Sequence, residues 1–495
     1  MQVSNQSLWC QAVGIARRGL AAGVVVQAAM TLFAVGGGPA AAQTALTDDG
    51  VRALLNERIE RERRAVGMAA ILVHGEQVRI VTAGSTSLDA SAPVSADTLF
   101  EVGSISKTFT ALLLADMVNR GEVALDDPVE KFLPQAAGAL TLRDYTGAPI
   151  RLVDLATHRS GLPRLPDNMP SGAQSDPYAD YRESDLLRYL QRRAVLIEKD
   201  GGTASRKRDE RYEYSNLGFG LLGYVLGRAA GTTYADLLQR RVLTPLALTA
   251  TWLVVPGAEQ KRYSDGHVPD GDSLKRTPHW RFEVMAPVGA VVMSARDIGR
   301  YAQAASGAID SPLTDAFRLT QRRYGDGVSA MNPQGLAWLL APLNGRTVFT
   351  HSGMTGGFTS SLWIDPARKS AIAVLSNGGG KTPDDIALHL LEPSIPVKAV
   401  VRPQAAISVD ARTLAQYVGN YRLAAGFDVA VRLRDGRLFA QATGQPEFEL
   451  FAKTPAAFFA RVTELEIVFG ALNDGKASSF ALTQGGSTRT APRVE

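Results

Sequence analysis

The chain has 495 residues, 45% hydrophobic and 21% charged, with a formal net charge of +4. That composition and length suit one large globular domain plus a smaller one, and so small a charge gives no nucleic-acid signal. Its single cysteine, Cys10, lies in an N-terminal leader, so a processed chain would have neither thiol nor disulfide, which excludes cysteine nucleophiles, cysteine-ligated zinc and iron–sulfur clusters.

Residues 1–42 read as a signal peptide. Arg17 and Arg18 precede the apolar run "GLAAGVVVQAAMTLFAVGGG", and "AAA" at 40–42 supplies small residues for cleavage after Ala42. Gly36 to Gly38 and Pro39 cut the run short of a comfortable membrane span. The paired arginines raise a twin-arginine route, although "ARRGLAA" matches it poorly. An exported chain without cysteine suits the bacterial periplasm or the medium, and removal of the leader leaves a formal charge of +2.

Residues 48–66 have the spacing of a charged amphipathic helix (Leu54, Leu55, Ile59, Val66). "MAAILVHGEQVRIVTAGS" predicts two strands around a turn at His74–Gly75. After "LFEVGSISK" comes a helical run with Phe109, Leu112, Leu113 and Met117 on helical spacing. Proline-punctuated loops and a polar stretch, 166–183, follow; helical patterns return over 217–243. "TVFTHSGMTGGFTSSLWIDPARKSAIAVLSN" contains three short strand-like runs. Strands at both ends with helices between predict an α+β unit: one antiparallel sheet flanked by helices, with a helical subdomain. "LEPSIPVKAVVRPQ" has linker composition. From about 411 the texture is β only, with hairpin signals at Asp435–Gly436 and Asp474–Gly475, which predicts a small antiparallel barrel or sandwich. The expected organisation is a leader over 1–42, a catalytic unit over 43–395, a linker over 396–410 and an all-β domain over 411–495.

Three stretches carry chemistry. Ser104 and Lys107 stand three apart at a helix start, where their Cβ atoms would lie about 5–6 Å apart. They are a nucleophile and its base, or an N-cap and a surface lysine; S-x-x-K alone favours the second reading. Gly103 and a helix N-terminus beside them offer a developing oxyanion free N–H groups. In "YEYSNLGFG", Tyr214 and Asn216 point the same way on an extended segment, so a phenol and an amide can share one cleft. A phenol is a poor base unless a cation lowers its pKa, and Lys107 is a candidate for that cation. The competing reading is a buried tyrosine followed by a helix cap at Ser215 or Asn216. In "FTHSGMTGGF", His351, Ser352 and Gly353 sit on a glycine-rich strand whose edge can take a peptide-like substrate, or form a plain hairpin with a solvated histidine.

The order S-x-x-K, Y-x-N, H-x-G resembles the penicillin-recognising serine hydrolases. "FEVGSISK" is similar to the class C β-lactamase signature, and "LVDLATHRSGLPR", "YSNLGFGLLGYVLGRAAG", "MAPVGAVVMSARDIGRYAQ" and "HSGMTGGFTSSLWIDP" extend the likeness over about 48–390. The tail, with "YVGNYRL" and "LFAQATGQPEFELF", resembles the lipocalin-like domain appended to some of these enzymes. The resemblance implies that Ser104 forms an acyl-enzyme, that Lys107 and Tyr214 share proton transfer, and that Asn216 bonds the substrate amide. It further implies that the backbone N–H groups of Ser104 and Met354 form an oxyanion hole, with His351, Ser352 and Gly353 on the substrate-binding wall. No metal or organic cofactor is implied. The substrate is then a β-lactam or a cyclic or D-amino-acid amide, including peptidoglycan fragments; a D-alanyl-D-alanine carboxypeptidase or endopeptidase and a carboxylesterase are the alternatives.

The departure from class C enzymes is His351, where they usually carry lysine. A histidine is mostly neutral at pH 7, which weakens carboxylate selection and turns preference toward esters, amides or D-amino-acid peptides. "GGGKT" at 378–382 reads as an ordinary loop, His158 as a brace and "SRKRDER" at 205–211 as a solvated loop. A non-catalytic reading also stands: the barrel binds an apolar ligand through Phe427, Phe439, Phe448, Phe451, Phe458 and Phe459, unless these simply fill its core.

Overall fold

A computed structural model describes residues 47–494 except 90–91, 135–139, 145, 171–175, 200–211, 271–272, 330–331, 399–405, 425–426, 443–446, 461–464 and 485–486. The expected leader, the basic stretch 205–211 and part of the expected linker lie outside the described residues. The chain divides into two compact units between Val401 and Arg402.

The first unit is built on an eight-stranded antiparallel sheet. Its strands are β1 (Gly67–His74), β2 (Gln77–Gly84), β3 (Gly325–Ser329), β4 (Asn332–Gln334), β5 (Leu339–Leu343), β6 (Arg346–Met354), β7 (Thr359–Asp365) and β8 (Ser370–Ser376), in the order β2-β1-β8-β7-β6-β5-β4-β3. The N-terminal hairpin therefore joins the C-terminal meander, with Met68 opposite Ser376 and His74 opposite Ser370. Tight turns fix the registers. Gly75 alone takes a positive φ between β1 and β2, and Asn344 and Gly345 both do between β5 and β6, as a two-residue hairpin that follows the strand twist requires.

Alternation along the strands gives the sheet two covered faces. Ala69, Ile71, Val73, Phe349, Leu362 and Ile364 point to the larger core, with α2 (Ser106–Asn119) and α4 (Ala295–Ala305) packed there. Met68, Ala70, Val348, Trp363 and Ile372 point the other way, against α1 (Asp48–Asn56) and α5 (Asp384–Leu391). The helix after Ser104 is buried on every side from Ser106 to Met117 rather than along one stripe, because Ala111, Leu114 and Ala115 continue the apolar surface around it. Between α2 and α4 in sequence lies the helical region, which includes α3 (Asn216–Ala229).

The second unit is a closed eight-stranded barrel formed by Gly419–Ala424, Phe427–Arg434, Arg437–Ala442, Phe448–Ala452, Ala457–Phe459, Leu465–Phe469, Ser479–Gln484 and Ser487–Val494. Asp435 and Gly436 both have positive φ, as do Asp474 and Gly475, so both expected hairpin turns form. The interior is filled by Tyr417, Tyr421, Phe458, Phe469 and Phe480, with Tyr417 stacked on Phe469 at 4.3 Å. Of the phenylalanines expected to line or fill the barrel, Phe458 lies in this core and Phe448 packs against it, whereas Phe439 does not. Leu438 and Ala440 are the inward residues of their strand, so Phe439 faces outward, where the Arg434 guanidinium lies 4.2 Å from its ring.

Candidate active site

The short strand Leu99–Glu101 ends in a 3₁₀ turn, Gly103–Ile105, which feeds α2. Gly103 holds φ +50, and a Cβ there would lie 2.5 Å from the Met354 nitrogen. Only glycine lets the turn before Ser104 approach the end of β6 so closely. Lys107 follows one turn later, fully buried, with Nζ 2.8 Å from Ser104 Oγ and 3.0 Å from the Val288 carbonyl oxygen. Burial first, and the Arg164 charge second, push its pKa well below that of an ordinary lysine. Such an amine favours the neutral form, whose lone pair can take the Ser104 proton.

Tyr214 reaches the same hydroxyl from the segment before α3. The Ser104 hydroxyl is near enough to pull the phenol's pKa down, and Lys107 Nζ lies 5.0 Å from its ring centroid. Burial raises the Tyr214 pKa, against the opposing pull of Arg164 and the Ser104 hydroxyl. The charge that lowers the phenol's pKa against this burial is Arg164 rather than the expected Lys107. The fixed charge beside Tyr214 is Arg164, whose guanidinium carbon lies 5.1 Å from the ring centroid. His158 stacks on the ring at 4.3 Å, and its Nδ1 accepts the Ser215 N–H at 3.0 Å. The brace expected at His158 is thus a clamp on the phenol. Ser215 caps α3 by accepting the Gly218 N–H at 2.8 Å, and Asn216 begins the helix. Asn216 Nδ2 donates to the Tyr178 hydroxyl at 2.8 Å, while its buried Oδ1 has no partner.

The third wall is the end of β6. Phe349, His351 and Gly353 share the face toward α2, and a Cβ at Gly353 would lie 1.9 Å from the Val102 carbonyl oxygen. The glycine is thus required for the strand to pass the turn that carries Ser104. His351 is buried; its pKa is lowered to about 3, by burial first and then by Lys107, and its Nδ1 donates to the Ser352 carbonyl at 2.8 Å. Ser352 departs from its expected place. Its hydroxyl donates to Asp384 Oδ1 at 2.5 Å on the opposite face, because alternation turns it away from its neighbours. Pairing with β5 stops at Thr350, so β5 does not cover the outer edge of His351–Met354.

Ser104, Lys107, Tyr214 and His351 thus converge, with the Met354 backbone beside Gly103. Asn216 lies next to them through its segment, and the Ser352 side chain is turned out. The sequence reading missed Arg164 and Tyr178 altogether. Neither has a signal of its own, since one sits in the irregular "GLPRLP" and the other within the polar stretch 166–183.

A family model described as Beta-lactamase matches residues 51–395, and one described as Domain of unknown function (DUF3471) matches 403–493. A beta-lactamase of Escherichia coli (strain K12) is 29% identical over 362 residues, spanning 67% of this chain and 88% of that protein. Penicillin-binding protein 4* of Bacillus subtilis (strain 168) is 27% identical over 445 residues, spanning 83% of this chain and 91% of its own. The D-alanyl-D-alanine-carboxypeptidase/endopeptidase AmpH of Escherichia coli (strain K12) is 32% identical over 199 residues, 40% of this chain and 48% of that one. Among solved structures, an octameric penicillin-binding protein homologue from Pyrococcus abyssi superposes with a TM-score of 0.61 at 22% identity, covering 90% of this chain and 100% of that one. A class C beta lactamase from Rhodobacter sphaeroides does so with a TM-score of 0.53 at 25% identity, covering 72% and 98%. With the match running through most of its length and through the S-x-x-K, Y-x-N and H-x-G stretches, the chain belongs to the beta-lactamase family of penicillin-binding serine hydrolases.

Proposed function

We propose that the protein hydrolyses a β-lactam or a D-amino-acid amide through an acyl-enzyme on Ser104. The observation that carries this reading is the fully buried Lys107 amine, 2.8 Å from the Ser104 hydroxyl and driven toward neutrality. Lys107 takes the Ser104 proton as Oγ attacks the carbonyl carbon. The Ser104 and Met354 N–H groups stabilise the oxyanion, and collapse of the adduct expels the leaving nitrogen. Tyr214, whose pKa is raised, supplies the proton to that nitrogen. Lys107 returns its proton to the phenolate, and water then releases the acyl group by the same relay. Opposite pKa displacements of an amine and a phenol assign one as base and the other as acid.

The free edge of β6 and the neutral His351 favour a peptide-like or ester substrate over one held by a carboxylate at that wall, so a D-alanyl-D-alanine carboxypeptidase is the second reading. Export under the leader 1–42 belongs to the same proposal and predicts a secreted chain beginning at Gln43. The apolar-ligand reading of the barrel loses its support, because the chain's own aromatics occupy the interior. Mass spectrometry after exposure to benzylpenicillin or a fluorophosphonate should place an adduct on Ser104, absent in Ser104→Ala. Rates on nitrocefin, a D-Ala-D-Ala peptide and p-nitrophenyl acetate separate the substrate classes, and an unlabelled wild-type protein refutes the mechanism.

A further inference from the structure

The reaction above leaves Arg164 unused. Its guanidinium sits half-buried 5.1 Å from the Tyr214 ring centroid, and its charge is felt at Lys107, Tyr214, Tyr178 and His158. Its own backbone is anchored to the helix that carries Asn216: the Arg164 carbonyl accepts the Asn216 and Leu217 N–H groups at 3.0 and 3.2 Å. Among the described residues no carboxylate pairs with it. Asp176 is held by Arg281 at 2.9 Å, Asp185 by Arg188 at 2.9 Å, and Asp167 by Arg192. A half-buried guanidinium beside the reacting groups, without a counter-ion among the described residues, is a ready bidentate site for a carboxylate.

A second observation points to a ligand on the same side. Asn216 is 5% exposed, with Nδ2 committed to Tyr178 and Oδ1 without a partner. A buried amide oxygen left unbonded is unfavourable unless a bound molecule supplies an N–H. The Asn216 side of the cleft thus offers an acceptor for an amide N–H and a cation for an anion. The β6 wall offers a neutral imidazole.

We propose that Arg164 is the anion-recognition residue of this site, receiving a carboxylate of the substrate beside the amide N–H that Asn216 accepts. The proposal rests on the acyl-enzyme reading and names the charge class of its substrate. The carboxylate can belong to the acyl portion or to the leaving group, and paired substrates separate the two. One pair is p-nitrophenyl hydrogen glutarate and its carboxamide. The other is the acetate esters of 3-hydroxybenzoate and 3-hydroxybenzamide.

In the wild-type protein kcat/KM should favour the carboxylate member of one pair by about 10- to 100-fold, the range of a hydrogen bond between charged partners. Arg164→Met should abolish that preference, bringing the two members of the pair to within about threefold of each other, with fluorophosphonate labelling of Ser104 retained. Arg164→Lys should restore part of it. Should Arg164→Met fail to fold, competitive inhibition of wild-type and Arg164→Lys protein by glutarate, weaker in the variant, gives the same reading. No carboxylate preference in either pair refutes the proposal and leaves the acyl-enzyme standing. Equal loss on both members, with a shifted pH profile on the neutral ester, also refutes it, since Arg164 would then act only through Lys107 and Tyr214. Absence of labelling on wild-type Ser104 removes the acyl-enzyme and the proposal together.

Discussion

Replacing Lys107 by methionine should abolish turnover and at the same time change how stability depends on pH. The amine is fully buried, held to Ser104 and the Val288 carbonyl, with its pKa depressed by burial and by Arg164. In the unfolded chain it titrates near 10.4. Between the depressed folded value and the unfolded one, the unfolded chain binds one more proton, so the stability of the wild type rises with pH by about 1.4 kcal/mol per unit. The destabilisation from Lys107 is fully present below the folded pKa and vanishes as pH climbs past the unfolded one. For a catalytic unit of about 350 residues, a step of that size corresponds to roughly 2 °C of Tm. Methionine fills a similar volume but leaves the Val288 carbonyl without its donor, an offset of about 1–3 kcal/mol that does not depend on pH. The diagnostic quantity is therefore a slope. Scanning calorimetry toward pH 10 should show, once pH exceeds the depressed folded pKa, the Tm of Lys107→Met relative to wild type falling by about 2 °C per pH unit, with turnover down at least ~100-fold. A Tm difference constant across that range would mean that Lys107 is an ordinary ammonium in the fold, and the base assignment would fail.

Four further outcomes follow from the same geometry. Gly103→Ala should lower kcat by at least ~100-fold, because its Cβ would stand 2.5 Å from the Met354 nitrogen where the oxyanion must bind; single-turnover acylation measures it. Tyr214→Phe should slow acylation ~100-fold or more while leaving the Tm within a few degrees, since His158 still has a ring to stack on; unchanged acylation would remove the phenol from the mechanism. Ser352→Ala should change kcat/KM less than about threefold and instead lower Tm, because the hydroxyl is bonded to Asp384. Histidine NMR should find the His351 imidazole neutral down to pH 5, as expected for a group lowered to about 3, and a His351 titration near 6.5 would contradict its burial beside Lys107.

Much of this arrangement was legible where local pattern and topology agree. The turn signals at Gly75, Asp435–Gly436 and Asp474–Gly475 are positions whose backbone needs a positive φ, and all take one. The strand runs at the two ends of the catalytic unit could be read as one sheet because no βαβ alternation competes with it. Ser104 and Lys107 are neighbours in sequence and stay neighbours on one turn. Alternation also carried an unused consequence: once His351 faces the cleft, Ser352 must face Asp384, and once Leu438 faces the barrel interior, Phe439 cannot.

What the sequence could not show is charge in context. A lysine reads as a cation until its neighbours are known, and Lys107 is surrounded by a buried cleft, Arg164 and two histidines rather than by carboxylates. That surrounding reverses the sequence-based electrostatics of the site. In the proposed reaction the amine is the proton acceptor and the phenol the proton donor, and the positive charge that lowers the Tyr214 pKa comes from a loop arginine with no periodic signal. Histidine at the position where class C enzymes usually have lysine fits the same logic. A second ammonium on β6 beside Lys107 would oppose protonation of either amine and would need a counter-ion that the described residues of that wall do not supply. His351 keeps the wall neutral, and the burden of recognising an anion shifts across the cleft to Arg164.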